Sequence, residues 1–190
     1  GIFLEGGSDF NEFQGIQIGH TQGSGIRLES SSANVFRGAR VPDVDSFDPN
    51  VISTGDHGVH LLAGASRNRF SRFGIDQAGG SGIYLQDDAQ SNHFNAMVVL
   101  NSTEHGLHLD GGLVTSNSFF TGPDPWTDPQ AAWGLSDVYN GSDGYGILLE
   151  NGANANLIAP RRVWENELGG IKLSGPGTDF NIIGKHLMIH

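Results

Sequence analysis

The stretch that decides the fold is G-I-Y-L-Q-D-D-A-Q-S-N-H-F-N-A-M-V-V-L, residues 82–100. Ile83 and Leu85 flank Tyr84, the period-two alternation of a strand with one buried face. A polar turn follows. Then come Asn92, Phe94 two positions on, and an apolar run over 97–100 that reads as a second strand. The opening phrase, glycine-apolar-x-leucine, recurs at Gly1, Gly25, Gly58, Gly106, Gly146 and Gly170. The steps between successive glycines are 24, 33, 24, 24, 40 and 24 residues. Such a period marks a stacked-repeat chain, in which each unit buries its apolar face only against its neighbours.

Aligned on the glycine, every unit carries the same inward pair, from Ile2 and Leu4 to Ile171 and Leu173. Each also carries an asparagine in nearly the same slot: Asn11, Asn34, Asn68, Asn92, Asn117, Asn156 and Asn181. Asparagine tolerates the left-handed conformation of a tight bend, so these residues are expected to take it. Stacked amides are also expected to bond to one another along the axis. Two positions further sit Phe13, Phe36, Phe70, Phe94, Phe119, Ile158 and Ile183, an expected aromatic row in the core. Helical periodicity is absent.

This pattern resembles the right-handed parallel β-helix of the pectin-lyase-like superfamily, over essentially the whole chain. It is most similar to the parallel β-helix repeat proteins that include tailspikes, alginate epimerases and periplasmic copper-processing proteins. The resemblance implies an all-β, single-stranded solenoid of about seven coils with a 24-residue period, forming one domain over 1–190. It does not by itself select an activity, because one fold hosts many.

Composition narrows the partners. Ten Lys plus Arg against 21 Asp plus Glu leave a net charge of −11. Such a chain repels nucleic acid and anionic membranes. No apolar run is long enough to insert in a membrane, and no leader segment is read. Cysteine is absent, which removes disulfides and thiolate metal sites. Glycine is frequent at 29 residues, the composition of a turn-rich protein that is extracellular, periplasmic or on a virion surface. The chain starts and stops in mid-repeat, so it reads as part of something longer. Flanking domains or a homo-oligomer, a trimer for example, are expected to cap the open ends.

Two insertions break the period, roughly at 39–52 and 122–138. Loops on a rigid repeat scaffold are where function gathers. Three coils separate them, roughly 14 Å at strand spacing, enough to wall a groove for a few sugar rings. The second carries Trp126 and Trp133, with Tyr139 and Tyr145 just beyond. Flat rings there suit sugar faces, or else pin the loop. The first contains Asp43, Asp45 and Asp48, carboxylates able to take calcium or simply to be solvated.

The groove floor is the outward face of the G-I-x-L strands. His60, Tyr84 and His108 form a column there, edged by His57 and His105. Three chemistries fit. Proton abstraction beside a uronate would use His60, Tyr84 and His108 as base and acid, with Arg27 or Lys172 as the neutralising cation. Glycoside hydrolysis would use paired carboxylates, Asp110 with Glu150, or Glu5 with Glu29. Metal binding by His60 and His108 fails on distance, roughly 9.6 Å over two strand spacings. His57 with His60, or His105 with His108, would ligate only if the preceding turn curls back. Gln86 and Glu29 extend the substrate-contacting set. Polar and aromatic ladders also arise simply because like positions stack well.

The expected function is therefore an extracellular polysaccharide lyase, epimerase or glycosidase. Its catalytic set is His60, Tyr84, His108, Asp110 and Glu150. Its substrate contacts are Arg27, Glu29, Gln86, Trp126, Trp133 and Lys172, with polysaccharide as the partner. No metal site and no certain cofactor are expected. The alternatives are a non-catalytic glycan-binding or structural segment, as in a tailspike or adhesin, and a copper-processing accessory protein.

Overall fold

The computed structural model describes residues 1–38, 49–120, 138–160 and 162–184. Trp126, Trp133, Asp43, Asp45 and Asp48 lie outside the described residues, as does most of each insertion.

The glycine phrases stack in register. Ile2–Leu4, Ile26–Glu29, Val59–Leu62, Ile83–Gln86, Leu107–Asp110, Tyr145–Glu150 and Gly169–Ser174 form one sheet in that order, with parallel neighbours. Side chains alternate across a strand, so Ile26, Val59, Ile83, Leu107 and Ile147 fall into one inward row and are fully buried. The leucines two residues on form a second such row.

Where two strands per unit are expected, each of the first six coils has three strand faces. The phenylalanines lie on the second. Phe13, Phe36, Phe70, Phe94 and Phe119 stack with centroids 4.6–4.9 Å apart and interplanar angles of 7° or less. The third face aligns Ile18, Val51, Ile75, Val99, Tyr139 and Val163 in register. Arg69–Ala78 and His93–Leu100 run through both faces, bending at Arg72 and Ala96, whose φ angles are 55° and 57°. Tyr139 is therefore a core residue with no exposed surface, not a groove aromatic.

The recurring glycine is demanded by this third face. A Cβ on Gly58 would lie 2.6 Å from the Gly82 carbonyl oxygen and collide with Ile75. A Cβ on Gly82 would lie 2.9 Å from the Gly106 oxygen and collide with Val99. Glycine is needed there for room, because the corner closes onto it.

The asparagines play a different part from the one expected. Left-handed φ angles fall on the residue before each of them: Phe10, Ala33, Arg67, Ser91, Ser116, Ala155 and Phe180, at 50–60°. None of the seven ladder asparagines has a positive φ. The preceding residue turns the corner, which frees the amide to point inward. Asn34 donates its backbone N–H and Nδ2 to Asn68 Oδ1 (3.0 and 3.1 Å), and Asn68 does the same to Asn92 Oδ1. The ladder continues through Asn117 and Asn156 to Asn181. It satisfies the buried backbone of the corner on every rung.

Candidate functional site

The outward column forms as the repeat implies. The His60 and Tyr84 rings stack at 5.1 Å and the Tyr84 and His108 rings at 4.7 Å. Each belongs to the central residues of a G-x-x-L strand, so sheet register alone sets the spacing. The turn before the strand does curl back. His57 meets His60 edge-on at 4.8 Å, and His105 meets His108 edge-on at 5.0 Å. The rings thus form a second layer over the column, and His60 is left only 7% exposed. Leu148 and Leu62 also lie on this face, yet both are buried.

Hydrogen bonds tie the column to its flank. Tyr84 donates its hydroxyl to Asp110 Oδ2 at 3.1 Å, and Asn151 Nδ2 donates to Asp110 Oδ1 at 2.7 Å. His108 Nε2 and Glu150 Oε1 share a hydrogen bond of 3.0 Å. Gln86 Nε2 and His60 Nε2 meet at 3.2 Å. His108, Asp110 and Glu150 each offer one polar atom within 4.8 Å of the others. The carboxylates are brought together because Asp110 and Glu150 are register partners on adjacent strands.

Burial controls the protonation states. It pushes His60 down to about 4, helped by the His57 and Arg27 charges, with Asp56 opposing. Burial also lowers His57 and His105. It raises Tyr84, together with the Asp110 charge and hydrogen bond. At neutral pH the column holds neutral imidazole at His60 and a protonated phenol at Tyr84.

The cations stay outside this centre. Arg27 lies over the Phe3 ring at 5.3 Å and pairs with Glu29 at 3.0 Å. Lys172 lies over the Tyr145 ring at 5.0 Å. A cavity of about 580 Å³ opens at the first rung, lined in part by Phe3, Arg27 and Asp56. It adjoins one end of the face and does not contain the column.

Among the described residues, two clusters have the make-up of a metal centre. Asp56, His57 and His60 bring polar atoms within 4.8 Å of one another. But His57 Nδ1 accepts the Ser81 backbone N–H at 2.9 Å, so the neutral ring carries its proton on Nε2. That nitrogen lies 3.3 Å from Asp56 Oδ1 and, bearing the proton, has no lone pair for an ion. In the second set, His108, Asp110 and Glu150, it is His108 Nε2 that meets a carboxylate, Glu150 Oε1, at 3.0 Å.

Asp56, Glu104, Ser81 and Asn151 belong to the same network and were not singled out by residue pattern. For Asp56 and Glu104 the signal was the echo of D-H-G-V-H at 56–60 in E-H-G-L-H at 104–108; Ser81 and Asn151 lie outside it.

A family model described as right handed beta helix region matches residues 1–186. The chain belongs to that family, and its stacked parallel sheets are those of a pectin-lyase-like parallel β-helix repeat protein. No curated protein and no solved structure matches it.

Proposed function

We propose that this β-helix is an extracellular glycoside hydrolase that cleaves a neutral polysaccharide lying across the first sheet. The observation that carries the reading is the close pair Asp110 and Glu150, with oxygens within 4.8 Å on one rigid face. A separation near 5 Å suits a double-displacement, retaining mechanism, whereas inversion needs about 6.5–9.5 Å for an intervening water. Asp110 is oriented by two donors, Tyr84 and Asn151, as a nucleophile requires. Its oxygen attacks the anomeric carbon and forms a glycosyl ester. Glu150 gives its proton to the departing glycosidic oxygen, then takes one from the water that hydrolyses the ester. His108, bonded to Glu150, holds that carboxyl in place. Uronate elimination fits less well, because Arg27 and Lys172 are each engaged away from the pair.

The test is a panel of polysaccharides with release of reducing ends as the readout. Asp110→Asn and Glu150→Gln are each expected to lower the rate by about 10²–10⁴-fold. Products with the ultraviolet absorbance of an unsaturated uronate would overturn the hydrolytic reading. So would undiminished rates in both variants. A non-catalytic glycan-binding scaffold is the second reading. It is favoured by the mutual hydrogen bonding of Tyr84 with Asp110 and His108 with Glu150. Binding of a glycan with no cleavage would select it.

A further inference from the structure

The row of residues just before the recurring glycine alternates with a period of two rungs. It reads Gly23-Ser24, Asp56-His57, Gly80-Ser81, Glu104-His105, Gly144-Tyr145. Packing explains the alternation. The His57 ring lies over Gly80, where a Cβ would sit 2.6 Å from Nδ1, and the His105 ring crowds Gly144 in the same way. Ser24 Oγ donates to Asp56 Oδ2 at 2.8 Å, and Ser81 Oγ donates to Glu104 Oε2 at 3.1 Å. The Ser81 and Tyr145 backbone N–H groups donate to His57 Nδ1 and His105 Nδ1, both at 2.9 Å. Each imidazole is thereby held in one tautomer, with its proton on Nε2.

The outcome is two related units, each a carboxylate next in sequence to an imidazole that carries its proton on Nε2; in the first, that nitrogen lies 3.3 Å from Asp56 Oδ1. Both carboxylates reach solvent: Asp56 is 46% exposed and Glu104 is exposed. Rungs repeat at about 4.8 Å, so the two units are about 9.6 Å apart. The column shares the period, with His60 and His108 on either side of Tyr84. Alternate rings of an extended β-1,4-linked glycan are turned over. The same hydroxyl edge therefore recurs once per disaccharide, over close to this distance. Glucans with α-1,4 or β-1,3 links coil and do not keep that repeat. An acceptor beside a donor matches a pair of sugar hydroxyls, whereas two acidic units repel a carboxylated sugar.

We infer that the Asp56–His57 and Glu104–His105 units bind hydroxyl pairs one disaccharide apart, and so select extended, neutral β-1,4-linked glycans. This rests on the proposed glycan-cleaving role and adds the substrate class. His57 and His105 are then specificity-determining residues outside the reacting pair.

The test is calorimetric binding of β-1,4-linked gluco-oligosaccharides, disaccharide to hexasaccharide, to the Glu150→Gln protein. Affinity is expected to rise about tenfold in one step, at the length that first spans both units, and then to level off. His57→Ala and His105→Ala in that background are each expected to abolish the step. His57→Gln, which keeps one acceptor and one donor, is expected to restore it. Melting temperatures of all variants are recorded, and a step that persists in His57→Ala protein overturns the inference. Equal gains with every added sugar, or equal binding of α-1,4-linked chains, also overturn it. In either case polysaccharide cleavage by the unmodified protein leaves the hydrolase reading standing. Absence of both binding and cleavage on every glycan removes the two together.

Discussion

Replacing Asn68 by alanine tests whether the asparagine ladder holds the corner of the solenoid. The side chain is fully buried. Its Oδ1 receives the Asn34 backbone N–H and Nδ2, and its Nδ2 donates to the Ser31 carbonyl at 3.0 Å and to Asn92 Oδ1 at 3.1 Å. Alanine leaves the two Asn34 donors and the Ser31 carbonyl short of a partner. Asn92 Oδ1 keeps the Asn68 backbone N–H. A stranded buried polar group costs about 1–3 kcal/mol, and a water entering the vacated space recovers part of it. The expected loss is about 3–5 kcal/mol, read as a fall in the urea midpoint by circular dichroism. Asn11→Ala is the control. That residue is exposed at the first rung, so its loss should stay below about 1 kcal/mol. Asn68→Asp keeps the acceptors for Asn34 but sets oxygen against oxygen at Ser31 and Asn92. It should be at least as damaging as alanine at neutral pH and recover partly in acid, where the carboxyl becomes a donor. Equal losses at positions 11 and 68, or an aspartate variant more stable than alanine at pH 7, would refute the reasoning.

Three further outcomes follow from the geometry. Gly82→Ala drives a methyl group against Val99 and the Gly106 carbonyl, and should cost about 1–3 kcal/mol in the same denaturation assay. A neutral effect there would mean that the corner is looser than the packing implies. Ala155→Gly places glycine at an exposed left-handed residue, φ 50°, and should raise stability by about 0.5–1 kcal/mol. A drop in midpoint would count against strain at that bend. For His60 the folded pKa near 4 lies below the ordinary 6.5, so the unfolded chain binds more protons between those values. Stability is fully retained above pH 6.5 and declines as pH falls toward 4. The decline is about 1–2 kcal/mol after discounting for water that reaches the ring. Asn is uncharged, so His60→Asn should flatten that slope, and an unchanged slope would place the titration elsewhere.

Much of the site was legible because the repeat converts chain distance into spatial distance. Gly58, Gly82 and Gly106 are equally spaced, and that alone stacks His60, Tyr84 and His108. It likewise makes Asp110 and Glu150 neighbours, although 40 residues separate them. What escaped was anything set by the turns. The curl that lays His57 over His60 depends on the corner closing onto Gly80, and strand periodicity carries no information about it. The left-handed residue was assigned one position late for a related reason. Asparagine has the propensity for that conformation, but here its amide is required inside, so Ala33, Arg67 or Ser116 takes the strained angle instead. Tyr139 misled because it follows an insertion. The third-face row that swallows it becomes visible only when Val99 and Val163 are seen on either side.

The amino-acid sequence by itself determined the parallel stack, its inward Ile/Leu and Phe rows, and which outward residues share a column. It could do so because a fixed period with alternating polarity has only one register that buries every apolar side chain. The tertiary structure alone decided the protonation pattern of the face and the tautomers of His57 and His105. These depend on burial and on hydrogen bonds between rungs, which exist only once successive coils lie against each other.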